Sequence, residues 1–313
     1  MVIAPRVFYE TAYGRYAVGA FSVNTLEQIL GVLRGAAAAK APVIIQVSAK
    51  AHEYAGSGVL EATIHAAACN LPEVLYGIHL DHGDETLAHR CIDSGLYASV
   101  MVDASMLSFE ENIAATKRVV EHARPLGITV EAELGRLRGK EDDIDVDASD
   151  AFLTDPALAQ EFVARSGVDT LAVAVGTSHG IHKFHGQRSL DLARLAQIQA
   201  VLPRVPLVLH GASSVSPAEV ARINSLGGNI AISAHGVPEE QYAQAYARGV
   251  GKINVDTDLR LAWARTFRAS FCNHPENIDP RNPGKAFITA VADIVVHHSQ
   301  LFGCAGRAEE FNL

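Results

Sequence analysis

Apolar positions along the chain come in short β-branched runs, each followed by a longer stretch in which they recur at helical spacing. "YAVGAFSV" (16–23) precedes a helix predicted over about 25–40, "PVIIQVS" (42–48) one over about 58–70, and "VLYGIHL" (74–80) one over about 84–95. "ASVMVD" (98–103), "ITVEAEL" (128–134), "TLAVAVG" (170–176), "PLVLHG" (206–211) and "KINVD" (252–256) continue the alternation to eight strands. Nearly continuous apolar strands between amphipathic helices imply a parallel sheet, because parallel pairing needs a crossover and buries both faces. Eight such units in roughly 250 residues suit a closed (β/α)8 TIM barrel better than an open doubly wound sheet. "GAFSVNT", after the first strand, also lacks the Gly-rich fingerprint of a dinucleotide-binding sheet. Residues 1–313 are therefore expected to form one barrel domain with an additional C-terminal helix.

Three segments break the rhythm. "GRLRGKEDDIDVDASDAFLTDP" (135–156) is a long polar connection rich in Gly and Asp, and its length predicts a mobile active-site loop. "GNIAISAHGVPEEQYAQAYARG" (228–249) inserts an extra turn and helix before the last strand. Residues 284–303, "GKAFITAVADIVVHHSQLFG", carry apolar positions at helical spacing and form the C-terminal extension, packed on the barrel or on another subunit.

Composition narrows the classes. With 49% hydrophobic and 19% charged residues in 313, the chain can bury a sizeable core and is not a disordered one. A net charge of -9 argues against nucleic acid or an anionic membrane as the main partner. No apolar stretch reaches the ~18–20 residues of a membrane span, and the N-terminus lacks the layout of a secretion signal, so a soluble, cytoplasmic protein is expected. Cys69, Cys91, Cys272 and Cys304 form no C-x-x-C pair and are expected to be reduced thiols in or near packed helices.

A barrel gathers the carboxyl ends of its strands on one face, however distant they are in sequence. That rule collects Asn24, Ser48, Asp81, His82, Asp103, Glu133, His179, His210, Asn254, Asp256 and Thr257. His82, His179 and His210 sit at three strand ends in "DHG", "SHG" and "LHG", which suggests a three-histidine metal site with a position open for substrate. Zinc suits imidazole best, although cobalt, iron or manganese fit the same set. "HGASS" (210–214) and "NVDTD" (254–258) follow the last two strands, where barrels often bind phosphate; the alternative is that they are ordinary tight turns. Ser213, Asp256 and Thr257 with amides near Gly180 and Gly211 would build such a cradle, and Lys183 and Arg260 could add charge.

Taken together, "HLDHG", "EAELGRLRGKED", "VGTSHGIHKF", "VLHGASS" and "INVDTDLR" resemble the class II, metal-dependent fructose-bisphosphate aldolases along nearly the whole chain and in the right order. That family includes the tagatose-bisphosphate aldolases, whose last motif usually departs from "NVDTDLR". The resemblance implies a zinc-dependent aldehyde-lyase that reversibly cleaves fructose 1,6-bisphosphate to dihydroxyacetone phosphate and glyceraldehyde 3-phosphate through a metal-stabilised enediolate. It implies that His82, His179 and His210 bind the zinc, that Glu133 can hold it in an alternative buried position, and that Asp81 and Glu141 are catalytic. It also assigns Gly180, Lys183, Gly211, Ser213, Asn254, Asp256 and Thr257 to the triose phosphate, and Asn24, Ser48 and Arg260 to the rest of the sugar. A monovalent cation (K+ or Na+) near the phosphate and a homodimer or homotetramer belong to the same expectation. The first half of 228–249 does not align with the family pattern.

In condensation Glu141 would take the proton next to the ketone, and Asp81 would protonate the aldehyde oxygen. The residue-level logic agrees with a metal route, since a Schiff base needs a lysine inside the barrel. The one candidate, Lys252, is expected at the start of its strand, far from the mouth. Asp84 is expected to cap the next helix, and Asp103 to orient a ligand histidine. Three rivals stay open: a tagatose-1,6-bisphosphate aldolase, a non-catalytic phosphosugar-binding barrel, and a metal-dependent hydrolase barrel. The last commonly carries H-x-H on its first strand, which "YAVGAFSVN" lacks.

Overall fold

The computed structural model describes residues 1–135, 152–177, 189–231 and 236–311, with the backbone alone of 139–141 and 144–146. The strands are β1 (Val18–Ser22), β2 (Val43–Ser48), β3 (Tyr76–Gly83), β4 (Ser99–Val102), β5 (Thr129–Leu134), β6 (Gly139–Glu141), β7 (Ile144–Val146), β8 (Thr170–Val173), β9 (Leu207–Leu209) and β10 (Val250–Val255). Eight of them close a parallel barrel in the order β1-β10-β9-β8-β5-β4-β3-β2. These are the eight expected strands. The polar connection after β5 contains an antiparallel hairpin, with Gly139 opposite Val146 and Glu141 opposite Ile144, which satisfies backbone groups of an otherwise long loop. Strand β3 runs three residues beyond its expected end at Leu80.

Strand side chains alternate between the two faces of the sheet. Ile45, Val47, Ile78, Leu80, Val100, Val130, Leu171 and Ile253 belong to the continuous apolar core. Their neighbours Gln46, His79, Asp81, Ser99, Glu131, Glu133, Lys252 and Asn254 are equally buried, yet polar. Contacts between strands that are not neighbours, such as Lys252 of β10 with Glu131 of β5 and His79 of β3, place this second set inside the barrel.

Helix starts follow from local chemistry. Asp84 caps the helix Glu85–Ser94 by accepting from the Leu87 amide at 2.7 Å, and Ser108 with Glu111 forms a capping box on Phe109–Ala123. The C-terminal helix, Arg281–Leu301, packs against the helix Leu26–Ala39. A Cβ at Gly31 would stand 2.5 Å from Val291 Cβ, and one at Gly35 2.6 Å from the Ala292 carbonyl, so only glycine allows that approach. The same helix brings His298 Nε2 within 3.2 Å of Asp258 Oδ2, and Asp258 accepts from the amides of Ser214 and Val215 at 2.8 Å. Burial alone would raise the Asp258 carboxyl; His298 and the two amides hold it below its ordinary value. The extension thus braces the loop after β9. Among the described residues no helix is long and apolar enough to cross a membrane.

Candidate active site

The end of β3 sets the geometry of the mouth. In a regular strand Asp81 and His82 would face opposite sides. Here the β3–β4 register shifts between Leu80 and Gly83, and His82 adopts φ +49°, a left-handed conformation uncommon outside glycine. The bulge re-aims His82 so that acid and imidazole share the barrel mouth. Gly83 leaves room beside it, because a Cβ there would lie 2.4 Å from Leu80 Cδ2 and would force that side chain to shift.

His82 and His210 then meet, with His82 Nε2 3.0 Å from His210 Nδ1 and the rings edge to face. Each outer ring nitrogen is held by a carboxylate: His82 Nδ1 by Asp103 Oδ2 at 2.7 Å, and His210 Nε2 by Glu131 Oε1 at 2.9 Å. Carboxylates on the outer nitrogens keep protons there and leave the inner nitrogens as electron-pair donors, the arrangement that supports metal-bound histidine. Asp81, His82 and His210 offer ligand atoms within 4.8 Å of one another, and so do His82, Asp103 and Glu133. Glu133 Oε2 is buried with no hydrogen-bond partner among the described residues. The donor set suits a borderline divalent cation such as zinc.

Electrostatics reinforce the picture. Burial alone would depress His82, but Asp81, the Asp103 hydrogen bond and Glu133 overcome it and push the imidazolium up to about 10. His210 is held well below its usual range by burial and by the charges of His82 and Lys252. Glu133 is pushed up to about 8 by burial and by Asp103. Asp103 is held far below the ordinary carboxylate range: burial opposes this, but His82 and Ser105 win.

Asp81 is raised by burial, against the pull of His82 and Lys252. Both its oxygens are fixed, Oδ2 by Gln46 Nε2 at 3.0 Å and Oδ1 by Asn254 Nδ2 at 3.3 Å. A buried carboxyl held this way beside a cation site is placed to pass a proton.

The remaining expected residues fall as follows. Ser48 ends β2 and accepts from the Ala51 amide at 3.2 Å, capping a short helix. Asn24 lies between β1 and the helix Leu26–Ala39, its amide donating to Gln28 Oε1 at 2.8 Å. Gly211 has φ +58°, Ser213 is buried, and Ser213 Oγ accepts from the Asp256 amide at 3.3 Å, so the loops after β9 and β10 touch. Thr257 opens the helix Thr257–Asn273, directly after Asp256. Arg260 Nε lies 2.7 Å from Asp256 Oδ2, its side chain half exposed. His179, Gly180, Lys183 and the Glu141 side chain lie outside the described residues.

The strand-end rule passed over the residues beneath the mouth. Ser99 Oγ, His79, Lys252 Nζ, Glu131 and His210 form one buried chain, with contacts of 2.7 Å (Ser99 to His79), 3.0 Å (His79 to Lys252), 2.7 Å (Lys252 to Glu131) and 2.9 Å (Glu131 to His210). Lys252 is fully buried and ion-paired, so its amine is engaged in supporting His210. The signal was polar residues at every second position of otherwise apolar strands, in "GIHLD", "TVEAEL" and "GKINV".

Known proteins match this chain and its fold. Residues 5–307 match the family described as fructose-bisphosphate aldolase class-II. The chain is 42% identical over 294 residues to the fructose-bisphosphate aldolase of Thermus caldophilus, covering 94% of this chain and 95% of that one. It is 41% identical over 305 residues to the fructose-bisphosphate aldolase of Giardia intestinalis, covering 96% and 92%. The crystal structure of the YdjI aldolase from Escherichia coli K12 superposes with a TM-score of 0.78 at 29% identity, covering 98% of this chain and 100% of that one. With a match running nearly end to end, and a barrel whose mouth carries paired histidines and carboxylates, this chain belongs to the class II fructose-bisphosphate aldolase family.

Proposed function

We propose that the protein catalyses the reversible aldol cleavage of fructose 1,6-bisphosphate to dihydroxyacetone phosphate and glyceraldehyde 3-phosphate. The observation that carries this reading is the pair of ring nitrogens of His82 and His210, 3.0 Å apart, beside the fixed carboxyl of Asp81. Relatives 41–42% identical over almost the whole chain bear the name of that activity, which supports fructose over tagatose bisphosphate.

His82, His210 and His179 would hold a zinc ion, with Glu133 as an alternative buried ligand. Bound there, zinc would act as a Lewis acid on the ketone and spread the negative charge that develops when the neighbouring carbon loses its proton. In condensation Glu141 accepts that proton, and the 135–156 segment that carries it closes over the substrate and excludes water. Asp81, its carboxyl kept in place by Gln46 and Asn254, donates a proton to the aldehyde oxygen as the carbon–carbon bond forms, and takes it back in cleavage. Gly180, Gly211, Ser213, Asn254, Asp256, Thr257 and Lys183 bind the triose phosphate, helped by the amides that open Thr257–Asn273. Asn24, Ser48 and Arg260 bind the distal part of the sugar. A potassium or sodium ion held by backbone carbonyls near the phosphate completes the site, in a cytoplasmic homodimer or homotetramer.

The test is a cleavage assay on both bisphosphates, before and after chelation, paired with metal analysis. We expect kcat/KM to favour fructose 1,6-bisphosphate, and activity to vanish on chelation and return with zinc. Preference for tagatose 1,6-bisphosphate would move the assignment within the family, and chelator-resistant cleavage would end it. Borohydride in the presence of substrate should leave the enzyme active; inactivation through a lysine adduct would point to the Schiff-base route.

A further inference from the structure

The pattern at the barrel mouth occurs a second time, on the outside of the molecule. His89 on the helix Glu85–Ser94 and His122 on the helix Phe109–Ala123 face each other, with their Nδ1 atoms 2.6 Å apart and ring centroids 4.9 Å apart. The outer nitrogens again look at carboxylates: His122 Nε2 lies 2.9 Å from Asp93 Oδ1, and His89 Nε2 lies 3.8 Å from Glu85 Oε1. The order carboxylate, imidazole, imidazole, carboxylate is that of Asp103, His82, His210 and Glu131.

From this repeated geometry we infer a peripheral transition-metal site between the two helices, with His89 and His122 as ligands through Nδ1. The physical reason is the direction of the protons. Asp93 at 2.9 Å favours hydrogen on His122 Nε2 and leaves His122 Nδ1 as an electron-pair donor, 2.6 Å from His89 Nδ1, close enough for one cation to take both nitrogens. Zinc-to-nitrogen bonds of about 2.0–2.1 Å at a tetrahedral angle set the nitrogens roughly 3.3 Å apart, so the rings must part by about 0.7 Å. Both side chains are about one third exposed, 32% and 33%, and can rotate by that amount.

Local charge favours a cation. Arg118 neutralises Glu85 in a two-pronged pair at 2.5 and 2.7 Å, which leaves Asp93 as the uncompensated charge of the group. Asp93 lies four residues after His89 on the same helix, and from His122 Nε2 its carboxylate balances a cation held at the two Nδ1 atoms. Two imidazoles select a borderline metal such as Zn2+, Cu2+ or Ni2+ over magnesium or calcium. Water would complete the shell. Nothing in this site depends on the aldolase reading, because it is built on the outer helices.

The experiment uses the full-length metal-free protein titrated with Zn2+ alone, beside His89→Ala and His122→Ala. Wild type should take up one equivalent more per chain than either variant, and all three should cleave sugar bisphosphate at the same rate at saturating zinc. With the barrel site filled by zinc, added Cu2+ should show hyperfine coupling to two imidazole nitrogens in wild type and not in the variants. Equal zinc uptake by all three chains, or copper spectra that do not change with either substitution, would overturn the site and leave a proton-bridged histidine pair.

Discussion

The same eight strands present two buried faces with opposite chemistry. Toward the helices, Ile78, Leu80, Val100, Val130 and Leu171 are excluded from water and stabilise the fold by apolar burial, worth about 1.5–3 kcal/mol for a large side chain. Toward the barrel axis, His79, Asp81, Glu131, Glu133, Lys252 and Asn254 are just as dry, yet most of their polar atoms are partnered across the lumen. Burial by itself therefore does not separate core from site. What separates them is the pairing: a buried charge is tolerated when a partner compensates it, and removing one partner costs far more than removing a methyl group.

Five variants break that comparison, from the largest effect to the smallest. His210→Ala removes a proposed ligand on the inner face, so metal content and aldol cleavage should fall together, with activity reaching the chelated level; retained metal at full activity would exclude the role. Asp81→Ala should keep the metal and lower turnover by about 10²–10⁴-fold, the range for a positioned acid, as read by kcat beside metal analysis. Lys252→Met leaves Glu131 buried without its cation and should destabilise by about 3–5 kcal/mol in denaturant unfolding. Glu131→Leu combined with Lys252→Met sharpens the point, because it should regain most of that stability. Metal affinity should nevertheless stay about 10–100-fold weaker, since His210 Nε2 has lost its acceptor. Ile78→Val, on the outer face of β3, should cost only about 0.5–1.5 kcal/mol and leave metal affinity unchanged.

Legibility followed the same division. The β-branched runs and the helical patterns between them predicted the strands and their order of appearance, and "DHG" announced a histidine next to a glycine that leaves it room. Asp84 was legible as a cap because capping is local. Lys252 was placed at the remote end of its strand, and its partners were not legible, since Glu131, His79 and His210 come from three other strands. The hairpin inside 135–156 was also missed, because two strands of three residues fall below any periodicity signal.

The chain by itself determined what local physics controls: eight buried parallel strands, the helices between them, the caps, and the motifs that mark the family. Closure of the barrel decided the rest. It brought His82 and His210, 128 residues apart, to 3.0 Å, and turned His82 inward through a bulge at φ +49°. It also set Lys252 against Glu131 and His82 against Asp103. Those pairings depend on which strand lies across the lumen, a relation created only when the first and last strands meet.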